Sequence, residues 1–241
     1  MKSGIIGLPQ VGKTSLFRIL TKANLSERAL ANPREAHIGV AKVPDERLDK
    51  LAALYNPKKL THASVEYVDV GAIGQDALKE TAYIGHLRQV DALIHVLRAF
   101  ESDEIPHVGP IDPLRDIKNV EFDLMVSDLG QIEKRLERLE KDLKKMKTPE
   151  MEKENELLIK AKAQIEAEKP LREMDMSPDD KKRIRGFMFL SEKPMLYVLN
   201  IGESTELGKD LEAAVEKYKL AEVARARMRE PAPSAAKSKP N

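Results

Sequence analysis

Residues 4–15 read GIIGLPQVGKTS, and this stretch decides the fold. Within it, Gly7 to Thr14 fit G-x-x-x-x-G-K-[ST], the pattern of a phosphate-binding loop. The pattern follows a short apolar run, Lys2 to Ile6, and precedes a helical pattern over Lys13 to Thr21. This is the strand–loop–helix context that the loop requires. The sequence therefore predicts that the main chain bends here around a phosphate group.

Each residue type in this loop has a chemical purpose. Gly7 and Gly12 allow the backbone to turn its N–H groups inward, towards a phosphate. Lys13 places a positive charge beside the outer phosphates, which makes it the candidate catalytic residue, and Thr14 offers a hydroxyl to Mg²⁺. The predicted nucleotide contacts in the loop are Gly7, Gln10, Val11, Gly12, Lys13, Thr14 and Ser15.

Strand-like and helix-like patterns alternate outside the loop. Strands are predicted at His37–Val43, Ser64–Val70, Ala92–Ala99 and Met195–Asn200, and helices from Pro44-Asp45 to Leu54 and over Ala77–Gln89. Such alternation is typical of βαβ units. We therefore expect an α/β fold, a P-loop NTPase with a mostly parallel sheet.

A different pattern interrupts this alternation. Apolar residues recur at spacings of 4 and 3 over Met125, Leu129, Ile132, Leu136, Leu139, Leu143 and Met146, which is a coiled-coil seam. Thr148-Pro149 ends it, and a second charged helix follows with Leu158, Ala161 and Ile165 on one face. These two helices predict an inserted antiparallel coiled-coil hairpin, either a spacer or a recognition arm. Ser177-Pro178 then begins a further helix.

These patterns divide the chain into three parts. Residues 1–122 and 190–229 are expected to form the nucleotide domain, 123–189 the helical insertion, and 230–241 a disordered tail rich in Pro, Ala, Ser and Lys.

Composition excludes several classes of protein. The 241 residues contain no cysteine, so disulfide scaffolds, Cys-ligated zinc and thiol catalysis are excluded. Lys and Arg number 41 and Asp and Glu 40, which excludes a polyanion binder that acts through bulk charge. Apolar runs are too short for a membrane span, so we expect a soluble cytoplasmic protein.

Two strand ends carry further candidate site residues. Asp69 closes a strand and is predicted to hold Mg²⁺ together with Thr14, although an Asp here is commonly a turn residue. Asn200, Ile201 and Glu203 follow the strand MLYVLN. We predict that Asn200 binds the loop backbone and a base edge and that Ile201 packs on the base, the alternative being a plain strand-to-helix turn.

The remaining candidates are weaker. No two of the five histidines have metal-ligand spacing, and His95, inside an apolar strand, is interpreted as a hydrogen-bonded core histidine. The basic cluster at residues 181–185 is interpreted as helix surface, with a ribosomal RNA contact as the alternative.

Taken in order, six segments resemble the YchF-type GTPases, the Obg-like ATPases: GLPQVGKTSLF, VPDERLDKLAALYNPKK, VEYVDV, LRQVDALIHVLRAF, DLGQIEKRLERLEKD and KPMLYVLNIGE. The resemblance runs from Met1 to about Glu203. It implies binding and slow hydrolysis of ATP or GTP with Mg²⁺, and association with ribosomes. It also implies that Asn200 and Glu203 form the family's base-reading N-x-x-E motif, with relaxed specificity between the two purines.

The chain departs from the family pattern at two loop positions. Ala72 stands where the D-x-x-G motif has its glycine, and Pro33 stands where a Thr would bind Mg²⁺. Ile73 is nearest to the position where other GTPases place a water-orienting Gln, and the family is apolar there too. The family's last strand and its C-terminal TGS module are not found in the sequence.

Three readings follow. The first is a YchF-type purine-nucleotide-binding protein, ribosome-associated and regulatory, with weak hydrolysis. The alternative is a nucleotide-binding adaptor without turnover that docks through the coiled-coil arm, which Pro33 and Ala72 motivate. The third is a fragment with an exposed sheet edge.

Overall fold

The computed structural model describes residues 1–22, 36–70, 81–107 and 109–202. Five strands form one sheet in the order β2-β3-β1-β4-β5, with all neighbours parallel except the antiparallel pair β2 and β3. They are β1 Lys2–Ile6, β2 Ala36–Lys42, β3 Ser64–Val70, β4 Ala92–Arg98 and β5 Met195–Asn200. The predicted α/β class with a mostly parallel sheet is confirmed.

Helices cover both faces of this sheet, because its central strands are apolar on both sides. The first three helices are α1 Lys13–Thr21, α2 Glu46–Tyr55 and α3 Thr81–Arg88. One face packs Ile5 and Val96 against Phe17 of α1. The other face packs Ile6 and Leu93 against α3 and the first part of the long helix described next.

The insertion begins as one continuous helix. Helix α4 spans Pro113–Lys145, 33 residues, with Asp112 as N-cap and Pro113 in its first turn. Val120 and Leu124 of α4 pack on the sheet, whereas the next residue, Met125, packs inside the hairpin. The predicted boundary between residues 122 and 123 therefore falls within a single helix, and the division into domains stays a prediction.

Helix α5, Pro149–Glu166, returns along α4. Arg135 pairs with Glu154 and Glu133 with Lys162, so residue numbers rise on α4 as they fall on α5 and the hairpin is antiparallel. The buried seam comprises Met125, Ile132, Leu139, Leu157, Leu158, Ala161 and Ile165, with Leu129 and Leu136 packed against it. Met146 lies beyond the end of α4 and is exposed, so its predicted place in the seam is wrong.

A short helix, α6 Pro178–Ile184, follows with Ser177 as its N-cap, as the sequence predicted. Among the helices of the described residues, none is both long and apolar enough to cross a bilayer. The predicted tail at residues 230–241 lies outside the described residues.

Candidate nucleotide-binding site

The phosphate loop contains three residues with positive φ: Gly7 at 144°, Gln10 at 60° and Gly12 at 99°. At Gly7 a Cβ atom would lie 2.5 Å from the carbonyl oxygen of Val96. At Gly12 it would lie 2.4 Å from Nδ2 of Asn200. Glycine is therefore required at both positions, because a side chain at Gly7 would push the loop away from β4 and one at Gly12 would push it away from β5.

Lys13 is the first residue of α1, and its side chain folds back over the loop. Its Nζ donates to the carbonyl oxygens of Gly7, at 3.0 Å, and Leu8, at 2.7 Å. Burial lowers the pKa of Lys13 to about 8, and the nearby charge of Asp69 acts in the opposite direction. The ammonium is thus held at the loop by neutral oxygen atoms, which leaves its charge available to an anion.

Helix α1 adds a second source of positive potential. Its first intrahelical hydrogen bond runs from the N–H of Leu16 to the carbonyl of Gly12 at 2.9 Å. The N–H groups of a first helical turn lack intrahelical partners and attract anions. Thr14, half-buried, and Ser15, exposed, lie in this first turn beside Lys13. Gln10 is exposed at the bend of the loop and Val11 is buried beneath it.

Asp69 lies on β3 opposite Ile5 of β1, at the strand ends from which the loop departs. Its side chain is 1% exposed, and neither carboxylate oxygen has a hydrogen-bond partner among the described residues. A buried carboxylate without partners is costly. One carboxylate and the Thr14 hydroxyl are hard oxygen donors of the kind Mg²⁺ takes, with water completing its coordination. The donor set therefore fits Mg²⁺.

Asn200 brings the second predicted group of site residues to the loop. Its Nδ2 donates to the carbonyl oxygen of Val11 at 3.0 Å, across 189 residues of sequence. Ile201 follows it and is half-buried. The structure thus brings Asn200 to the phosphate loop, next to Gly12. Glu203 lies outside the described residues, as do Pro33, Ala72 and Ile73, so no base contact is described.

His95 lies in the centre of β4, buried as the sequence predicted. The expected hydrogen bonds are wrong within the described residues, because neither ring nitrogen has a partner there. Burial lowers the pKa of His95 to about 3, and the charge of Lys13 adds to this. Its ring lies 5.9 Å from that of Tyr197.

Sequence reasoning missed two buried charged residues near this site and the hairpin. Arg98 ends β4 and Asp128 lies in the middle of α4, and both are at most 1% exposed. Arg98 interrupts a run of apolar residues, and Asp128 lies at helical spacing between the apolar residues Leu124 and Ile132; these are the signals that could have identified them.

Known proteins that are similar to this chain are named as YchF and Obg-like ATPases. No family model matches the chain. The ribosome-binding ATPase YchF of Bacillus subtilis is 38% identical over 212 residues, 84% of this chain and 57% of that protein. The Obg-like ATPase 1 of rice, Oryza sativa subsp. japonica, is 34% identical over 84% of this chain and 53% of its own length. Over this matched part, the chain is similar to the YchF and Obg-like ATPases.

The solved structure of the Schizosaccharomyces pombe YchF GTPase is also similar to this chain. It matches 90% of this chain and 62% of its own length, with a TM-score of 0.71 and 29% sequence identity. The chain thus spans between half and two thirds of the length of these YchF relatives.

Proposed function

We propose that the chain is a purine-nucleotide-binding protein of the YchF type that binds ATP or GTP with Mg²⁺ in the cytoplasm and hydrolyses it slowly. One observation carries the proposal. Among the described residues, the buried Lys13 has two carbonyl oxygens of the phosphate loop as its hydrogen-bond partners, and neither carboxylate oxygen of the nearby Asp69 has a partner. A polyphosphate with its metal ion complements both groups.

Each residue of the site would have a separate role in binding the nucleotide. The amides of the phosphate loop and of the first turn of α1 would bind the phosphates. Lys13 would exchange its two carbonyl partners for phosphate oxygens and stabilise the negative charge. Thr14 and Asp69 would hold Mg²⁺, which neutralises phosphate charge when bound. Asn200 would read the base from its place on the loop, with Ile201 packed on the base and Glu203 completing the motif.

The test compares two lysines in similar settings. Lys193 is half-buried and donates to the carbonyl oxygens of Arg88, at 3.0 Å, and Val90, at 2.6 Å, away from the loop. We expect Lys13→Met to weaken binding of fluorescent ADP, ATP, GDP and GTP by about tenfold or more, since it removes a charge-assisted contact. Lys193→Met should leave the affinities unchanged. Equal affinities in wild type and Lys13→Met would contradict the proposal.

Phosphate release separates the enzyme from the adaptor. Turnover that is lost in Lys13→Met supports slow hydrolysis. Nucleotide binding without phosphate release above that of Lys13→Met supports the adaptor. Pro33 favours the adaptor because it has no hydroxyl for Mg²⁺, and Ala72 favours it because alanine can offer its N–H at fewer backbone angles than glycine.

We also propose ribosome association, because the Bacillus subtilis relative is named a ribosome-binding ATPase. The arm between α4 and α5 ends in the exposed lysines Lys144, Lys145 and Lys147. Reversing these three charges should reduce co-sedimentation with ribosomes, most strongly at low salt. Reversing Lys181 and Lys182 of α6 tests the alternative RNA contact. Unchanged pelleting of both variants would argue against ribosome contact at either surface.

A further inference from the structure

Arg98 is an unexpected residue at the end of β4. It follows six buried residues of the strand and is itself only 1% exposed. A guanidinium is permanently charged, and burying it is costly unless its geometry serves a purpose. Among the described residues it forms no ion pair with a carboxylate.

The described hydrogen bonds of the Arg98 side chain are with the segment that follows it, residues 99–105, here called the β4 loop. Its Nε donates to the carbonyl of Phe100 at 3.1 Å, and its Nη2 to the carbonyl of Ile105 at 2.9 Å. The guanidinium carbon also lies 4.3 Å from the centre of the Phe100 ring. One rigid fork thus holds two points of a loop that has no regular secondary structure.

The β4 loop is joined to the nucleotide site through the main chain. Arg98 lies opposite Asn200 in the parallel pair β4 and β5, and the N–H of Ala99 donates to the carbonyl of Asn200 at 2.8 Å. Asn200 in turn donates to the carbonyl of Val11 in the phosphate loop. A continuous series of contacts therefore leads from Arg98 to the phosphate loop.

Resting on the proposed function, we propose that Arg98 is a positioning residue for nucleotide binding. By fixing the β4 loop it keeps Ala99 against Asn200, and so keeps the Asn200 carboxamide on the phosphate loop. An apolar residue would satisfy burial at lower cost. A guanidinium is needed because it donates to two carbonyl oxygens and so fixes the position of the β4 loop relative to the nucleotide site.

The experiment measures the affinity of fluorescent ADP in Arg98→Met, Arg98→Lys and Arg115→Met. Arg115 is the matched control, because it also donates to a loop carbonyl, that of Pro110 at 2.9 Å, but its side chain is 39% exposed and does not contact Asn200. We expect Arg98→Met to bind about fivefold more weakly, the equivalent of one hydrogen bond. Arg98→Lys keeps the charge but lacks the fork, so it should bind at an intermediate level. Arg115→Met should bind as wild type does.

A double-mutant cycle distinguishes positioning from general destabilisation. Combined with Asn200→Ala, Arg98→Lys should cost much less than it does alone, because both act through the same carboxamide. Additive losses would overturn the inference. The side-chain amide resonances of Asn200 should also shift in Arg98→Lys but not in Arg115→Met. Because it uses Arg98→Lys, this measurement tests the proposal even if Arg98→Met does not fold.

The outcomes keep the two proposals apart. If the affinity for ADP falls in Lys13→Met but not in the Arg98 variants, this inference is wrong and the proposed function is supported. The absence of nucleotide binding to wild type would overturn the proposed function itself.

Discussion

Two regions of the molecule each contain a buried aspartate, and these two aspartates differ in their hydrogen bonding. One region is the edge of the sheet beside the phosphate loop, here called the nucleotide edge, which contains Asp69. The other is the place where α4 contacts Arg88 and residues 188–191, here called the arm root, which contains Asp128. Asp128 of α4 accepts from the N–H groups of Leu190 and Ser191 at 3.0 and 2.7 Å, from the Ser191 hydroxyl at 2.8 Å and from Arg88 at 3.0 Å. Asp69 of β3 has no such partner among the described residues. Two equally buried aspartates of one chain therefore differ in whether protein groups satisfy the carboxylate.

The contrast extends to neighbouring charges. At the arm root Arg88 also donates to Met188 and Ser127, so three segments are fastened together. Among the described residues of the nucleotide edge, Lys13 has carbonyl oxygens as its partners and the ring nitrogens of His95 have none. At Asp128 the complete set of hydrogen bonds indicates an architectural role, whereas at Asp69 we expect a ligand to supply the partners that the described residues do not. Stability measurements test this distinction.

The largest effect on the free energy of unfolding is expected at the arm root. Asp128→Asn removes the charge opposite Arg88 and replaces an acceptor by a donor that faces N–H groups, which should cost about 3 kcal/mol. Urea denaturation measures it. Glu133→Gln on the arm surface is the control, since Glu133 is 47% exposed and its loss should cost about 0.5 kcal/mol or less. Equal losses in both variants would remove the architectural role of Asp128.

The next effect is a pH dependence at Lys13. Its pKa is about 8 in the folded protein against 10.5 ordinarily, so above pH 8 the unfolded chain binds more protons and wild-type stability rises with pH. Relative to Lys13→Met, wild type should gain about 2 kcal/mol between pH 8 and pH 10. Denaturant titrations across this range measure the difference. A constant difference would show that the ammonium is not desolvated.

How far the sequence could predict these features depends on how local their causes are. The phosphate loop was predictable because Gly7, Gly12 and Lys13 are contiguous, and each residue type has one chemical purpose. The approach of Asn200 to the loop was predicted from an Asn at a strand end with an acid three residues later, a pattern that suits purine recognition. In the structure its Nδ2 donates to the carbonyl oxygen of Val11 at 3.0 Å, whereas its contact with a base stays a prediction.

The features that the sequence did not reveal depend on contacts that no local pattern shows. Asp128 meets Leu190 and Ser191 across 62 and 63 residues, so no local pattern shows its partners. Met146 keeps the seam spacing, but the helix has ended there and nothing about periodicity reveals where the hairpin turns. His95 was correctly predicted to be buried. Its unpartnered nitrogens depend on what surrounds it in three dimensions.

His95 should give a similar or slightly smaller effect at acid pH. Its pKa is about 3 when folded against 6.5 ordinarily, so stability falls as the pH drops below 6.5 and the unfolded chain takes up a proton. Wild type should lose about 2 kcal/mol relative to His95→Leu between pH 7 and pH 5. His86→Leu, at an exposed position, should track wild type. Parallel curves for wild type and His95→Leu would mean that a polar partner satisfies the imidazole.

The smallest effect on stability is expected at Asp69, where the contrast with Asp128 is sharpest. Asp69→Asn breaks no described hydrogen bond and removes a buried charge, but it also removes the charge that favours ionised Lys13, so the change should stay within about 1 kcal/mol. The same substitution should nevertheless weaken ADP binding in Mg²⁺ by about tenfold while leaving the affinity in EDTA unchanged, because a hard-cation ligand is lost. Unfolding and binding measurements on one preparation decide the matter. A large loss of stability with intact Mg²⁺ dependence would make Asp69 an architectural residue like Asp128, and the distinction between the two regions would fail.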